Sequence, residues 1–190
     1  MIWYLQCVFK GYNQHIKCQL HWTPLDPESS AMTAPTAEAP TETGALIDHI
    51  LSRYHERHRS ELPGLLDLAE KVGRVHATDQ QSPKDLAQSL AALGRELEGH
   101  MAKEEMILFP AMRAGGGAGI GPPVAVMRAE HDDHAEAIER IRKMTGNLTP
   151  PDHACGSWRA LYAGLDRFLE DLAAHVALEN HVLFPRFERG

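Results

Sequence analysis

With 190 residues, 43% hydrophobic and 24% charged, the chain has the size and composition of one globular domain with a real core, and needs no second large domain. A formal charge of −7 leaves no basic stripe for nucleic acid or an anionic membrane, which argues against both as partners. The three cysteines, Cys7, Cys18 and Cys155, are widely spaced and odd in number, so they form neither a disulfide framework nor a cysteine zinc site and fit a reducing compartment.

The apolar start, Met-Ile-Trp-Tyr-Leu-Gln-Cys-Val-Phe, lacks a basic flank and is too short to span a membrane; the expected location is the cytoplasm. Residues 1–43 pass from this aromatic opening to a Pro-, Thr-, Ala- and Ser-rich stretch without apolar periodicity, and are expected to be disordered. Met32 is an alternative start that would make the preceding residues an upstream artefact. The rival reading is a short extra element packing through Trp3, Tyr4 and Trp22.

Residues 44–190 read as a single domain of four helices. The first should cover about 45–75, with Pro63 removing one amide donor inside it. The second should open at Ser82-Pro-Lys-Asp85, an N-cap followed by a first-turn proline and an acidic residue, and stop near Gly115-Gly-Gly. The glycine-rich run that follows lacks the Gly-Lys-Ser/Thr of a phosphate loop and reads as a connection. The third helix should cover about 124–144 and the fourth about 157–187, separated by Thr145-Gly-Asn-Leu-Thr-Pro-Pro. With no sustained strand alternation and only short connections, the fold class is all-α, an antiparallel four-helix bundle.

One eleven-residue phrase occurs twice, as His100-Met-Ala-Lys-Glu104-Glu-Met-Ile-Leu-Phe-Pro110 and as His175-Val-Ala-Leu-Glu179-Asn-His-Val-Leu-Phe-Pro185, with six positions identical. A histidine and a glutamate four residues apart share one helix face, so each copy offers an imidazole and a carboxylate together. His55 precedes His100 by 45 residues and His131 precedes His175 by 44, which gives both halves of the chain one layout, a tandem pair of helical hairpins. His55 lies about 20 residues before the first turn and His100 about 17 after it, a difference of roughly 5 Å in height at about 1.5 Å per residue.

On ideal helical spacing, Leu93, Leu97, Ile107 and Ala111 share the face of His100 and Glu104, while Phe168, Leu172 and Val182 share that of His175 and Glu179. The polar pairs therefore fall inside apolar stripes. A single such pair is ordinarily a solvated surface feature. Burying two carboxylates and four imidazoles without partners would cost several kcal/mol per charged group, so a core carrying the pair twice calls for a cation at its centre. Four histidines and two carboxylates exceed the needs of one tetrahedral zinc, whereas two glutamates can bridge a pair of ions that each take two histidine nitrogens. The pattern fits two non-haem iron ions with an oxo or hydroxo bridge and an open position for a diatomic. His55-Glu-Arg-His58 is one residue short of a zincin helix, and no Glu-x-x-His pair of the ferritin-like kind occurs.

From about Leu46 to Pro185 the chain resembles the hemerythrin-like domain of the RIC family, the repair-of-iron-centres proteins used by bacteria under nitrosative and oxidative stress. The resemblance is carried by Ile47-Asp-His-Ile, Arg53-Tyr-His-Glu-Arg-His-Arg, Leu62-Pro, Lys71-Val-Gly-Arg-Val-His, the two repeated phrases, Glu130-His-Asp-Asp, and Thr149-Pro-Pro through Ala154-Cys-Gly-Ser-Trp-Arg-Ala-Leu-Tyr. It implies iron ligation by His55, His100, Glu104, His131, His175 and Glu179, with both glutamates bridging. It further implies repair of damaged iron-sulfur clusters, by donating a weakly held iron or by binding or reducing NO. Iron-sulfur proteins would be the clients, NO and O2 the small ligands, and a homodimer is compatible with it. No conventional catalytic constellation is present, so NO reduction at the iron pair is the one enzymatic step in view. The chain departs from the full-length pattern because residues 1–43 hold no adjacent cysteines, and steps that rely on such thiols are not implied.

Oxygen-carrying hemerythrins have His-x-x-x-His on the third helix and His-x-x-x-x-Asp on the fourth, where this chain has His131-Asp-Asp-His134 and His175-x-x-x-Glu179. The alternative, an O2- or NO-binding or sensing protein without repair activity, rests on the bundle alone. His76 is a candidate for touching iron or lining its access path against a loop or capping role. His58 and His134 are read as supporting or helix-surface residues. Cys155 is read as a buried structural thiol, and Tyr54, Trp158 and Tyr162 as core.

Overall fold

The computed structural model describes residues 40–188. Apart from residues 40–43, the expected leader lies outside them, together with Met32, Trp3, Tyr4, Trp22, Cys7 and Cys18. Among the described residues there are helices and turns and no strand, and no helix is long and apolar enough to cross a membrane.

Four rods run in chain order. The first is α1 (Thr43–Ile50), a π turn (Leu51–His55) and α2 (Glu56–Val75). Its start is capped by Glu42, whose carboxylate accepts from the Ala45 amide at 2.9 Å. Pro63 sits inside α2 without ending it. The second rod is α3 (Leu86–Lys103), a π turn (Glu104–Leu108) and α4 (Phe109–Arg113). The expected cap at Ser82 is displaced. The helix begins after Asp85, because the Leu86 amide bonds the Pro83 carbonyl at 3.1 Å and the Ser82 amide bonds Asp79 at 3.3 Å, so the Ser-Pro segment is spent on tight turns.

Gly115, Gly116 and Gly117 follow, with φ of 92°, 83° and 77°, a left-handed run that side chains resist and that ends the second rod. The third rod is α5 (Gly121–Met144), which starts earlier than the expected 124 because Pro122 and Pro123 occupy its first turn, where missing amides cost nothing. The fourth is α6 (Gly156–Leu178), a π turn (Glu179–Leu183) and a 3-10 turn (Phe184–Arg186).

Two apolar clusters show the direction of each rod. One joins Leu46, Ile47 and Ile50 with Leu108, Phe109, Met112, Val124, Met127, Leu183 and Phe184. The other joins Leu65, Ala69 and Val72 with residues of α3, the latter part of α5, and α6 from Trp158 to Leu172. Odd rods pass from the first cluster to the second and even rods return, which is the expected up-down-up-down bundle. In every rod the candidate ligands fall between the two clusters.

The π turns explain where ideal spacing fails. Each adds one residue to a helical turn, so residues beyond it rotate back by about one position. Ile107 and Val182, expected in the core, are 63% and 38% exposed, and Ala111 is only half-buried. Leu108, Met112 and Leu183 are buried in their place.

Candidate metal centre

The structure brings all six expected residues together. His55, His100, His131 and His175 are each 1% exposed, and Glu104 and Glu179 are fully buried. Their donor atoms converge as two groups: His55 and His175 with both glutamates, and His100 and His131 with the same two glutamates. The carboxylates divide their oxygens between the groups. Glu104 turns Oε2 to His55 Nε2 at 3.3 Å and Oε1 to His100 Nε2 at 3.4 Å. Glu179 turns Oε1 to His175 Nε2 at 3.2 Å and Oε2 to His131 Nε2 at 3.1 Å. His100 Nε2 and His131 Nε2 lie 3.0 Å apart.

These separations fit a cation at each group. With metal–ligand bonds of about 2.1 Å, neighbouring ligands lie about 3.0 Å apart at right angles and about 3.4 Å apart at the tetrahedral angle. Orphaned atoms point the same way: His55 Nε2, both Glu104 oxygens and Glu179 Oε2 are buried without a hydrogen-bond partner among the described residues. Left so, each would incur the desolvation cost of an unpaired polar group.

Two π turns begin at the glutamates and the third ends at His55. A wider turn at each point aims its polar side chain inward while the next apolar residues keep to the core, and such bulges commonly sit at functional sites.

Three of the four histidines are oriented through Nδ1. His55 meets Glu105 at 2.7 Å, with Arg59 on the same carboxylate oxygen at 2.7 Å. His100 meets Glu130 at 2.9 Å, which also pairs with Lys103. His131 meets Asn180 at 2.9 Å, and Arg128 holds that amide at 3.2 Å. His175 instead stacks on Tyr54, ring centroids 5.1 Å apart and 6° from parallel. Burial alone would lower His100, but Glu104, Glu130 and Glu179 outweigh it and lift the group to about 9. Burial would likewise raise Glu179, yet the neighbouring His175 and His131 hold it far below the usual carboxylate range.

Sequence reasoning left four other residues less settled. His58 and His134 are buried, 1% and 2% exposed, rather than on a helix surface. Burial holds both rings neutral, at about 3 and about 4. Their spacing one turn from His55 and His131 was the available signal. His76 joins neither group: its Nε2 lies 3.2 Å from Cys155 Sγ, and its ring lies against Trp158. Cys155 is half-exposed at the N-cap of α6, not a buried thiol. The His76 contact, with the first amides of α6, draws it below the ordinary thiol value.

A hemerythrin HHE cation binding domain profile matches residues 46–187. Among curated proteins, the iron-sulfur cluster repair protein YtfE of Citrobacter koseri is 48% identical over 163 residues, 86% of this chain and 71% of that protein. The protein of the same name from Cronobacter sakazakii is 48% identical over 168 residues, 88% of this chain and 72% of its own length. That from Yersinia pseudotuberculosis serotype IB is 50% identical over 145 residues, covering 76% and 66%.

The chain belongs to the repair-of-iron-centres family. Its hemerythrin-type part therefore coincides with the bundle, and the cation-binding character of that domain falls on the His/Glu cluster between the two apolar layers. Trp158 and Tyr162, from the family-like stretch before the last helix, are buried in the cluster farther along α6. They shape the bundle without reaching the centre.

Proposed function

We propose that the chain is a di-iron protein that restores iron-sulfur clusters damaged by nitrosative or oxidative stress. His55 and His175 would hold one iron, His100 and His131 the other, and Glu104 and Glu179 would bridge the pair. The division of each carboxylate between the two histidine groups is the observation that carries this reading, since a single ion would leave one oxygen of each glutamate unused. The relatives from Citrobacter and Cronobacter, named as iron-sulfur cluster repair proteins, supply the direction of the function.

A bound iron pair supplies exchangeable ferrous iron and a redox-active position for a diatomic such as NO. The protein's part is to aim and to seal. Glu105, Glu130 and Asn180 fix the tautomer of three histidines so that Nε2 carries the free lone pair. The apolar layers on either side limit water. Iron-sulfur enzymes of the cytoplasm are the clients this chemistry suits.

Protein purified without added metal should carry about two irons per chain, read by elemental analysis. Incubated anaerobically with an enzyme whose cluster NO has destroyed, the loaded protein should restore activity faster than the same amount of free ferrous iron. Recovery no better than with free iron would remove the repair function and leave a gas-binding di-iron protein.

A further inference from the structure

The end of the bundle far from the metal centre carries a second group of reactive side chains. There the end of the first rod meets the start of the fourth. His76 is the C-cap of α2 and Cys155 the N-cap of α6, and His76 Nε2 lies 3.2 Å from Cys155 Sγ. The first amides of one helix favour a negative sulfur and the last carbonyls of the other favour a positive ring, so both backbones promote transfer of the thiol proton to the imidazole. Cys155 stands 20 residues before His175, about 30 Å along the helix. Among the described residues no third donor joins the pair to complete a cation site.

The loop that leads into Cys155 forms one wall of a cleft of about 540 Å3, lined by Gln81, Thr145, Thr149, Asp152, His153 and Tyr162. Behind that wall stands Trp158, fully buried, with its ring 5.0 Å from that of His76 and 6.2 Å from that of His153. Its Nε1 reaches towards the Tyr162 hydroxyl but has no hydrogen-bond partner among the described residues. A buried N–H left in this way is costly unless an acceptor from outside reaches it. Arg159, exposed in the first turns of α6, is anchored on the same loop. It donates to the Ala154 carbonyl at 3.1 Å and the Asp152 carbonyl at 2.7 Å, so its charge rests on neutral oxygens. Thiol, imidazole, cation and unspent donor thus share one end of the bundle.

We propose that Cys155 is a thiol–disulfide exchange site for the disulfide of a small carboxylate-bearing thiol, with Arg159 holding the carboxylate and His76 moving the proton. The Cys155 sulfur, its proton passed to His76, attacks one sulfur of the disulfide. A new S–S bond forms to Cys155 as the old one breaks, and the departing thiolate takes the proton back from His76, so the exchange needs no other oxidant. Cys155 is the one cysteine among the described residues. No neighbouring thiol there displaces the adduct, and the mixed disulfide persists until an external thiol attacks it. The cleft favours a bulky partner, since a peroxide or a diatomic would leave both it and Arg159 without a role. This activity is independent of the reading of the His/Glu cluster as a metal centre.

The test exposes the full chain to oxidised glutathione or to the neutral 2-hydroxyethyl disulfide and follows the mass of the Cys155 peptide after acid quenching. Cys7 and Cys18 are read on their own peptides. Cys155 should react about tenfold faster in the folded than in the urea-unfolded chain at neutral pH, and this acceleration should be severalfold larger for the charged disulfide. His76→Gln should remove both accelerations. Arg159→Gln, at an exposed position, should leave the acceleration with the neutral disulfide unchanged and reduce that with oxidised glutathione to match it. A Cys155 that reacts no faster folded than unfolded overturns the site, whether or not His76→Gln folds. Equal acceleration by the two disulfides, or a preference untouched in Arg159→Gln, overturns the carboxylate-bearing partner.

Discussion

In the first hairpin, residues 43–113, both histidines rest their Nδ1 on carboxylates, His55 on Glu105 and His100 on Glu130. In the second, residues 121–186, His131 rests on a neutral amide, Asn180, and His175 lies against the face of Tyr54. The hairpins also differ in backbone, since both rods of the first contain a π turn and only the last rod of the second does. The two hairpins are alike in these inner residues and differ in what backs them. Each group of the cluster combines one histidine of each kind, His55 with His175 and His100 with His131. A carboxylate acceptor makes an imidazole a stronger donor than an amide does, so each group pairs one more basic imidazole with one less basic.

The largest effect that can test this balance comes from the glutamates. Because Glu104 and Glu179 each serve both groups, Glu104→Gln and Glu179→Gln should each strip both cations, whichever hairpin is altered; elemental analysis showing one ion retained would mean that the carboxylates do not bridge. Next come the backing residues. Glu105→Gln and Glu130→Gln should weaken cation affinity by about 10- to 100-fold, and Asn180→Ala less than either. Equal losses in competition titrations with a chelator would erase the difference between hairpins.

Deleting one exposed residue from a π turn, Met106 in the first hairpin or His181 in the second, should return each rod to regular helix. Helicity and the thermal midpoint of the metal-free protein should hold or rise, while cation affinity falls as Glu104 or Glu179 swings away. A drop in the metal-free midpoint would show that the bulges serve packing instead. The smallest effect belongs to the seam between the hairpins. Asp171→Asn removes the partly exposed pair with Arg53 and should cost at most about 1 kcal/mol by denaturant unfolding.

The buried His/Glu cluster was legible because a repeated His-x-x-x-Glu phrase places polar pairs in apolar stripes twice over, and matched spacing in each half pointed to the remaining histidines. The bundle followed from the same periodicity. Ideal periodicity is also why Ile107, Ala111 and Val182 were misplaced, since no local residue pattern marks a π turn and the extra residue shows only when packing is seen. Which histidines share a group was hidden for another reason. Spacing makes His55 equivalent to His131 and His100 to His175, whereas the bundle packs α2 against α6 and α3 against α5, so dissimilar positions meet. Cys155 differs from the expected buried thiol, and His134 takes the supporting rather than the surface alternative, because burial at a helix flank or cap depends on the facing rod, which sequence does not name.

Each group of the cluster takes one histidine from either side of the Gly115–Gly117 joint, so neither hairpin alone carries a complete set. An ion held there would in that sense be a clasp between two halves of a hinged case. A chain nicked at Gly116 should remain a pair of associating fragments when the clasp is closed and separate far more readily on chelation, which size-exclusion chromatography would resolve. Handing over iron would then do more than empty a site: it would slacken the grip of one half of the molecule on the other.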